Sequence, residues 1–296
     1  MSSEQVAALK TLLRERGKPK NPTVPEMRAR IAEVGERFPA PQEAEVTPVT
    51  VAGRYAEWIA APSCLADRAV LYLHGGGYVI GSCESHRNLA YNIAAASKAK
   101  VLLLDYRLAP ESPFPAAVDD AVAAYCWLLD EGFSPSGLSI AGDSAGGGLA
   151  VAALTASRYR GQPMPAAGLC LSPWVDMEGI GASMAAKEDE DPTLNHELLL
   201  WFSDRYLAGA DPRAPLAAPI YADLAGLPPL LIQVGTAEVL LDDSLRLAEH
   251  ARTFGVNASL DIAHDMVHVW QLFEPILDEA GKAIARAGAF LRGRMR

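Results

Sequence analysis

Cysteine is scarce and scattered: Cys64, Cys83, Cys126 and Cys170 stand far apart, and no Cys-x-x-Cys pair occurs. That spacing excludes a small disulfide framework and a cysteine zinc site, and it suits a reduced, intracellular protein. No apolar run approaches the ~18 residues of a spanning helix. The stretch from Met1 to Gln5 does not open a signal peptide, so a soluble, cytoplasmic protein is expected. Positive charge is outnumbered, 26 Lys and Arg against 36 Asp and Glu, for a net charge of −10. Such a surface repels phosphate backbones and anionic lipid, which argues against nucleic acid and membrane as partners. No G-x-x-x-x-G-K-S/T occurs, so the glycines do not make a nucleotide loop. Internal repeats and low-complexity tracts are also missing.

What remains is a chain that is 50% hydrophobic and 21% charged over 296 residues, enough for a large core. Residues 1–40 read as two amphipathic helices, Val6, Leu9, Leu12 and Leu13 marking the first and Val24 to Phe38 the second. Neither can bury its apolar face alone, so both must lie on something larger. From Glu43 the pattern alternates, predicting two antiparallel strands that turn at Gly53. Apolar runs then recur at 69–73, 100–104, 138–141, 168–171, 230–234 and 258–262. Helical stretches at about 84–97, 115–130, 145–160, 241–254 and 271–292 lie between and after them. Buried strands alternating with helices predict an α/β fold, a mostly parallel sheet covered on both faces. Residues 176–212 break the rhythm with an acidic run and one helix. They are expected to form a lid with the N-terminal helices, over the sheet edge where α/β proteins bind ligands.

Gly142-Asp143-Ser144-Ala145-Gly146 fits G-x-S-x-G, with a strand before it and an Ala/Leu-rich helix after it. In a nucleophile elbow the serine occupies strained backbone at a strand-to-helix turn, so its neighbours must be small. His74-Gly75-Gly76-Gly77-Tyr78 follows another strand, and bare glycine N–H groups can stabilise an oxyanion, each by roughly 2.7–4 kcal/mol. His74 suits a structural hydrogen bond better than a base. A base must come from elsewhere; His86, His196 and His250 fall where solvated or packed roles are expected. His264 and His268 both follow the last strand, where the histidine of a Ser-acid-His order belongs. For the acid, Glu238 lies nearest the end of the strand at 230–234, and Asp242 one helical turn later. The ordinary role of Asp242 and Asp243 would be to cap a helix.

Taken jointly, these segments resemble the bacterial hormone-sensitive-lipase-like esterases of the α/β-hydrolase fold, in the branch carrying G-D-S-A-G. The resemblance covers nearly the whole chain. It includes Asp105-Tyr106-Arg107-Leu108-Ala109-Pro110-Glu111 with Phe114-Pro115-Ala116, and the two-part cap. It implies a catalytic domain of residues 41–175 and 213–296, capped by 1–40 and by 176–212. It further implies Ser144 as nucleophile, Glu238 as acid and His268 as base. The N–H groups of Gly76, Gly77 and Ala145 would form the oxyanion hole, with His74, Gly75 and Asp143 in support. Most members carry Asp where this chain has Glu238, so a side chain longer by one methylene must reach the same imidazole. Tyr78, Trp201, Phe202 and Tyr206 are expected either to line an acyl or alcohol pocket or to glue the cap to the sheet.

The implied reaction is hydrolysis of short- to medium-chain carboxylic esters through an acyl-enzyme, without cofactor or metal. A lactone or an acetylated small molecule is the alternative substrate of the same triad. Members often pair through the last strand and its neighbouring helix, so a homodimer is a further expectation. Two rivals remain. His264-Asp265-x-x-His268 mimics H-E-x-x-H of metal hydrolases, but it follows a strand and lacks a third ligand. A binding protein on a hydrolase scaffold should have lost the serine or the histidine.

Overall fold

The computed structural model describes residues 2–296, leaving Met1 of the expected N-terminal segment outside the described residues. The chain opens with α1 (Ser2–Arg16) and α2 (Val24–Arg37). Thr23 starts α2 with a capping box, its hydroxyl accepting from the Glu26 N–H while the Glu26 carboxylate accepts from the Thr23 N–H. β1 (Glu45–Val51) and β2 (Arg54–Ala60) form the expected hairpin. Its two turn residues, Ala52 and Gly53, both have positive φ, as a two-residue hairpin turn matched to strand twist requires.

The strand–helix alternation follows as β3 (Leu65–Leu73), α3 (Cys83–Ser97), β4 (Ala99–Leu104), α4 (Ala116–Asp130), β5 (Leu138–Asp143), α5 (Ala145–Tyr159) and β6 (Ala167–Leu171). Two helices of the insertion come next, the single turn α6 (Ser183–Ala186) and α7 (His196–Leu207). β7 (Leu230–Gly235), α8 (Leu241–Thr253), β8 (Ala258–Ala263) and α9 (Asp278–Arg294) complete the chain. The eight strands lie in the order β1-β2-β4-β3-β5-β6-β7-β8. The six from β3 to β8 run parallel, and β2 meets β4 antiparallel. The last expected helix, 271–292, is in fact a 3₁₀ segment at Trp270–Ile276 followed by α9. Pro275 cannot supply an N–H to a continuous helix, which accounts for the break.

Two buried clusters sandwich the sheet, one around Leu71, Leu73, Ile140 and Leu149, the other around Val70, Tyr72, Leu103 and Leu169. Alternate residues of β3 go to opposite clusters, which is the period-two geometry of a strand covered on both sides. The N-terminal helices depend on this body. α1 buries Val6, Leu9 and Leu13 against Met266, Val267 and Trp270. Arg28 of α2 is bidentate to Glu111 at 2.7 Å and also donates to the carbonyls of Val79 and Ala109.

At the root of the inserted segment, the fully buried Asp243 accepts the N–H groups of Val175 and Asp176 on Oδ2. Its Oδ1 has no partner among the described residues. Burial, reinforced by the neighbouring Asp176 carboxylate, pushes the Asp243 carboxyl up to about 7 against the pull of those N–H groups. A carboxyl raised in the folded state contributes stability at low pH that is lost as pH climbs through that value. Asp243→Asn should therefore gain in melting temperature over the parent as pH rises from about 4 to about 7, with the gain level above that. Thermal denaturation across this range checks it; a pH-independent difference would contradict it.

Candidate active site

Four loops at the C-terminal ends of parallel strands build the site. β5 delivers Ser144, which has φ 52° and ψ −123°. A left-handed φ is costly for a residue with a Cβ, and the fold holds it through the Ser144 N–H on Leu171 O (2.8 Å) and its carbonyl under the Trp174 N–H (2.9 Å). Gly146 must be glycine, since a Cβ there would lie 2.0 Å from the carbonyl oxygen of Leu73. Ala145 opens α5, so its N–H has no preceding turn to donate to.

β3 delivers the glycine loop. Gly76 has φ +120°, and a Cβ on it would meet the carbonyl oxygen of Ile80 at 2.2 Å, so only glycine suits this bend. Among the described residues, no hydrogen bond uses the N–H of Gly76 or Gly77, whereas Gly75 donates to Asp143 Oδ1 (3.1 Å). Beneath this loop lies a buried polar cluster. Tyr72 donates to Asp143 Oδ1 (2.9 Å), and His86 Nε2 stands 3.4 Å from Asp143 Oδ2. Tyr106 donates to the carbonyl of His74 (2.6 Å) and stacks on its ring at 4.3 Å. Burial would raise the Asp143 carboxyl, but His86 and the Tyr72 hydroxyl outweigh it and hold it below its usual value. Burial, with His86 alongside, brings His74 down to about 4, so this imidazole is neutral and serves the loop's shape. His86 was expected to be merely solvated or packed. Its place beside Asp143 emerges only because α3 folds back under the loop.

The loops after β7 and β8 bring Glu238 and His268 together. Glu238 is fully buried, and its Oε2 accepts from His268 Nδ1 at 2.8 Å. Its Oε1 accepts the Gly235 N–H (2.6 Å) and the Ser172 hydroxyl (2.9 Å). Burial disfavours the imidazolium of His268, but Glu238 outweighs it and the pKa of His268 is raised. Asp242 lies elsewhere, accepting the Ser183 N–H of the insertion at 2.9 Å; it does not cap α8 as expected, since that helix starts without a side-chain cap. His264 is exposed and does not border the cavity of Ser144, while its neighbour Asp265 pairs with Lys10. Among the described residues no group of three His, Cys, Asp or Glu side chains is arranged to hold a metal ion.

Ser144 and His268 border one cavity of about 180 Å³, with Gly75, Gly76 and Gly77 on its floor. Leu13, Met27, Ile31 and Val34 of the N-terminal helices and Leu198, Leu199 and Phe202 of α7 wall it. Of the four aromatics expected as pocket or glue, only Phe202 lines this space. Tyr78 and Tyr206 stack on each other at 3.7 Å and are buried, joining α7 to the glycine loop. Trp201 turns away to lie under the Arg205 guanidinium at 3.7 Å. The correction has a simple cause, since on α7 only the face carrying Leu198, Leu199 and Phe202 looks inward to the cavity.

Two residues escaped the sequence reading. Ser172, just past β6, donates to Glu238 and accepts the Val269 N–H at 3.2 Å, bridging the acid to the histidine loop. Asp191, in the acidic run, is buried and accepts the Val239 N–H (3.0 Å), pinning the residue after Glu238. A serine after a strand end and one acid among five charged neighbours carry no distinguishing local pattern.

The family model for the α/β-hydrolase fold matches residues 70–272. An acetyl-hydrolase of Streptomyces hygroscopicus is 51% identical over 82% of this chain and 81% of its own. A carboxylesterase of Mycobacterium tuberculosis is 33% identical over 75% and 72%. A crystal structure of an esterase from the bacterial hormone-sensitive lipase family superposes with a TM-score of 0.97 at 49% identity, covering 100% of both chains. The chain belongs to the hormone-sensitive-lipase-like esterases of the α/β-hydrolase fold. Another such esterase structure, EstE5 soaked with p-nitrophenyl butyrate, has a TM-score of 0.96 at 49% identity over 98% of each chain.

Within this esterase, the hydrogen bond from Ser172 to a charged, buried carboxylate is of the class worth about 1.5–3 kcal/mol. Ser172→Ala should lower kcat for p-nitrophenyl butyrate at least roughly tenfold with little change in KM. Steady-state kinetics checks this, and an unchanged kcat would remove Ser172 from the site.

Proposed function

We propose that the protein hydrolyses short- to medium-chain carboxylic esters through an acyl-enzyme on Ser144. That it is a carboxylic-ester hydrolase follows from its family. The assignment of roles rests on one observation above all: Ser144, the bare glycine N–H groups and an imidazole buttressed by a buried carboxylate border a single cavity. In this reading His268, with Nδ1 committed to Glu238, takes the Ser144 proton on Nε2. The serine oxygen attacks the ester carbonyl, and the N–H groups of Gly76, Gly77 and Ala145 hold the charge on the tetrahedral intermediate. His268 then protonates the departing alcohol, and water repeats the sequence to free the acid. Glu238 keeps the imidazole in the right tautomer and stabilises its charged form.

The cavity of about 180 Å³ is below the ~300–1,000 Å³ of sites for drug-sized ligands, which favours short acyl groups. Carboxylic esters, rather than lactones or acetylated small molecules, are the substrates this reading takes. Residues 1–40 and 176–212 act together as the cap, a reading supported by the side chains that both segments contribute to the lining of the cavity. The four free cysteines support a cytoplasmic location. The open edge of β8, with Ile262 exposed, supports pairing with a second copy.

Three outcomes test the assignment. Ser144→Ala should abolish turnover and labelling by an organophosphonate while leaving the circular dichroism spectrum intact; substantial residual cleavage would sink the mechanism. Glu238→Ala should cost roughly 10³–10⁴-fold in kcat, and Asp242→Asn much less; the reverse would reassign the acid. Because the base must be neutral and the pKa of His268 is raised, the acid limb of kcat/KM should lie above the ordinary histidine value of 6.5. Glu238→Gln removes the charge that raises it, so the limb of the residual activity should move to lower pH. A limb that stays put would show that Glu238 does not face the base.

A further inference from the structure

The cavity around Ser144 is walled mainly by apolar side chains, yet two guanidinium groups stand in its wall, Arg16 at the end of α1 and Arg30 in α2. The same two residues, with Pro19 and Met27, also line an open groove on the outer side. Both side chains therefore border the cavity of Ser144 and the adjoining groove. Arg16 is paired with Glu33 at 2.6 Å. Arg30 has no carboxylate partner among the described residues; its Nη groups donate to the carbonyls of Arg16 and Gly17. Such a guanidinium is oriented by its neighbours but not neutralised by them, and it keeps donors to spare.

The surroundings reinforce this excess. Burial and the adjacent Arg16 charge lower the Arg30 pKa, and Glu33, whose carboxylate is hydrogen-bonded to Arg16, offsets them only in part. The one carboxylate in the cavity wall, Asp143, is turned to Tyr72 and Gly75. Although acids predominate in the chain as a whole, residues 1–37 hold eight Lys and Arg against five Glu. Three of these eight are paired with carboxylates, Lys10 with Asp265, Arg16 with Glu33 and Arg28 with Glu111, which leaves Arg30 as the cation in the cavity wall without a carboxylate bond among the described residues.

We propose that Arg16 and Arg30 form a subsite for a carboxylate that the substrate carries remote from its scissile ester, so that monoesters of dicarboxylic acids are preferred over wholly neutral esters. The inference rests on the ester-hydrolase reading of Ser144 and adds the substrate class. A carboxylate suits the site because its two oxygens match the planar fork of a guanidinium. An apolar path between the two ends would accommodate the methylenes that join them. The remote carboxylate takes no part in the chemistry: water is added across the acyl–oxygen bond as for any ester.

The test compares p-nitrophenyl monoesters of the dicarboxylic acids from glutarate to suberate with neutral p-nitrophenyl esters of the same chain length. The parent should show, at one or more lengths, a kcat/KM for the anionic ester at least tenfold above its neutral counterpart. That ratio should fall as salt is raised. Arg30→Gln should cut the ratio tenfold or more, and Arg30→Lys should restore part of it. Each variant's neutral ester serves as its own reference, so general damage lowers both rates and leaves the ratio standing. A ratio at or below one at every length in the parent would overturn the subsite, as would a ratio that Arg30→Gln leaves unchanged. If the parent cleaved neither kind of ester, the esterase reading itself would fall instead.

Discussion

Burying a charged carboxylate costs several kcal/mol unless donors meet its oxygens; Asp243, with one oxygen unmet, is pushed toward its neutral form instead. Glu238 has donors on both oxygens, and the way its needs are met organises the whole site. One oxygen takes the imidazole of His268; the other takes the Gly235 N–H and the Ser172 hydroxyl. Those three donors come from the ends of β6 and β7 and from the loop after β8. Satisfying one buried charge thereby fixes three loops relative to one another, and the backbone bond from the Ala237 N–H to Met266 O fastens the last two directly.

The second constraint is that the cavity has no wall of its own on the open edge of the sheet. It is enclosed by α1 and α2 from the start of the chain and by α7 from the insertion. α1 packs on Met266, Val267 and Trp270, the residues that flank the histidine. The insertion reaches the acid as well, through Asp191 on the Val239 N–H and Ser183 on the Val239 carbonyl. The enclosure of the cavity and the placement of Glu238 and His268 therefore share contacts.

The floor obeys a related logic. Glycine N–H groups can serve an oxyanion only if something else holds the loop, since glycine brings no side chain to do so. His74, Tyr106, Asp143 and Tyr72 supply that hold from below. Aromatic side chains above it, Tyr78 on Tyr206, give up any role in lining the pocket to fasten α7 in place.

Much of this could be read from residue order. The period-two and period-3.6 patterns located the strands and most helices, because burial on both faces of a parallel sheet imposes long apolar runs that few other folds produce. G-D-S-A-G and H-G-G-G were legible because their function is local: a strained turn and a bare backbone need small residues at adjacent positions. The choice between His264 and His268, or between Glu238 and Asp242, rested on family likeness alone, since both members of each pair sit after the right strand. Tertiary structure put His268 on the cavity wall with Glu238 buried against its imidazole, and left His264 exposed and Asp242 bonded to the insertion, for that depends on how a loop leaves its strand. Ser172, His86, Asp191 and Arg30 were invisible for the same reason. Their partners lie from 13 to 97 residues away, and a hydrogen bond across that distance leaves no period, spacing or composition in the chain to mark it.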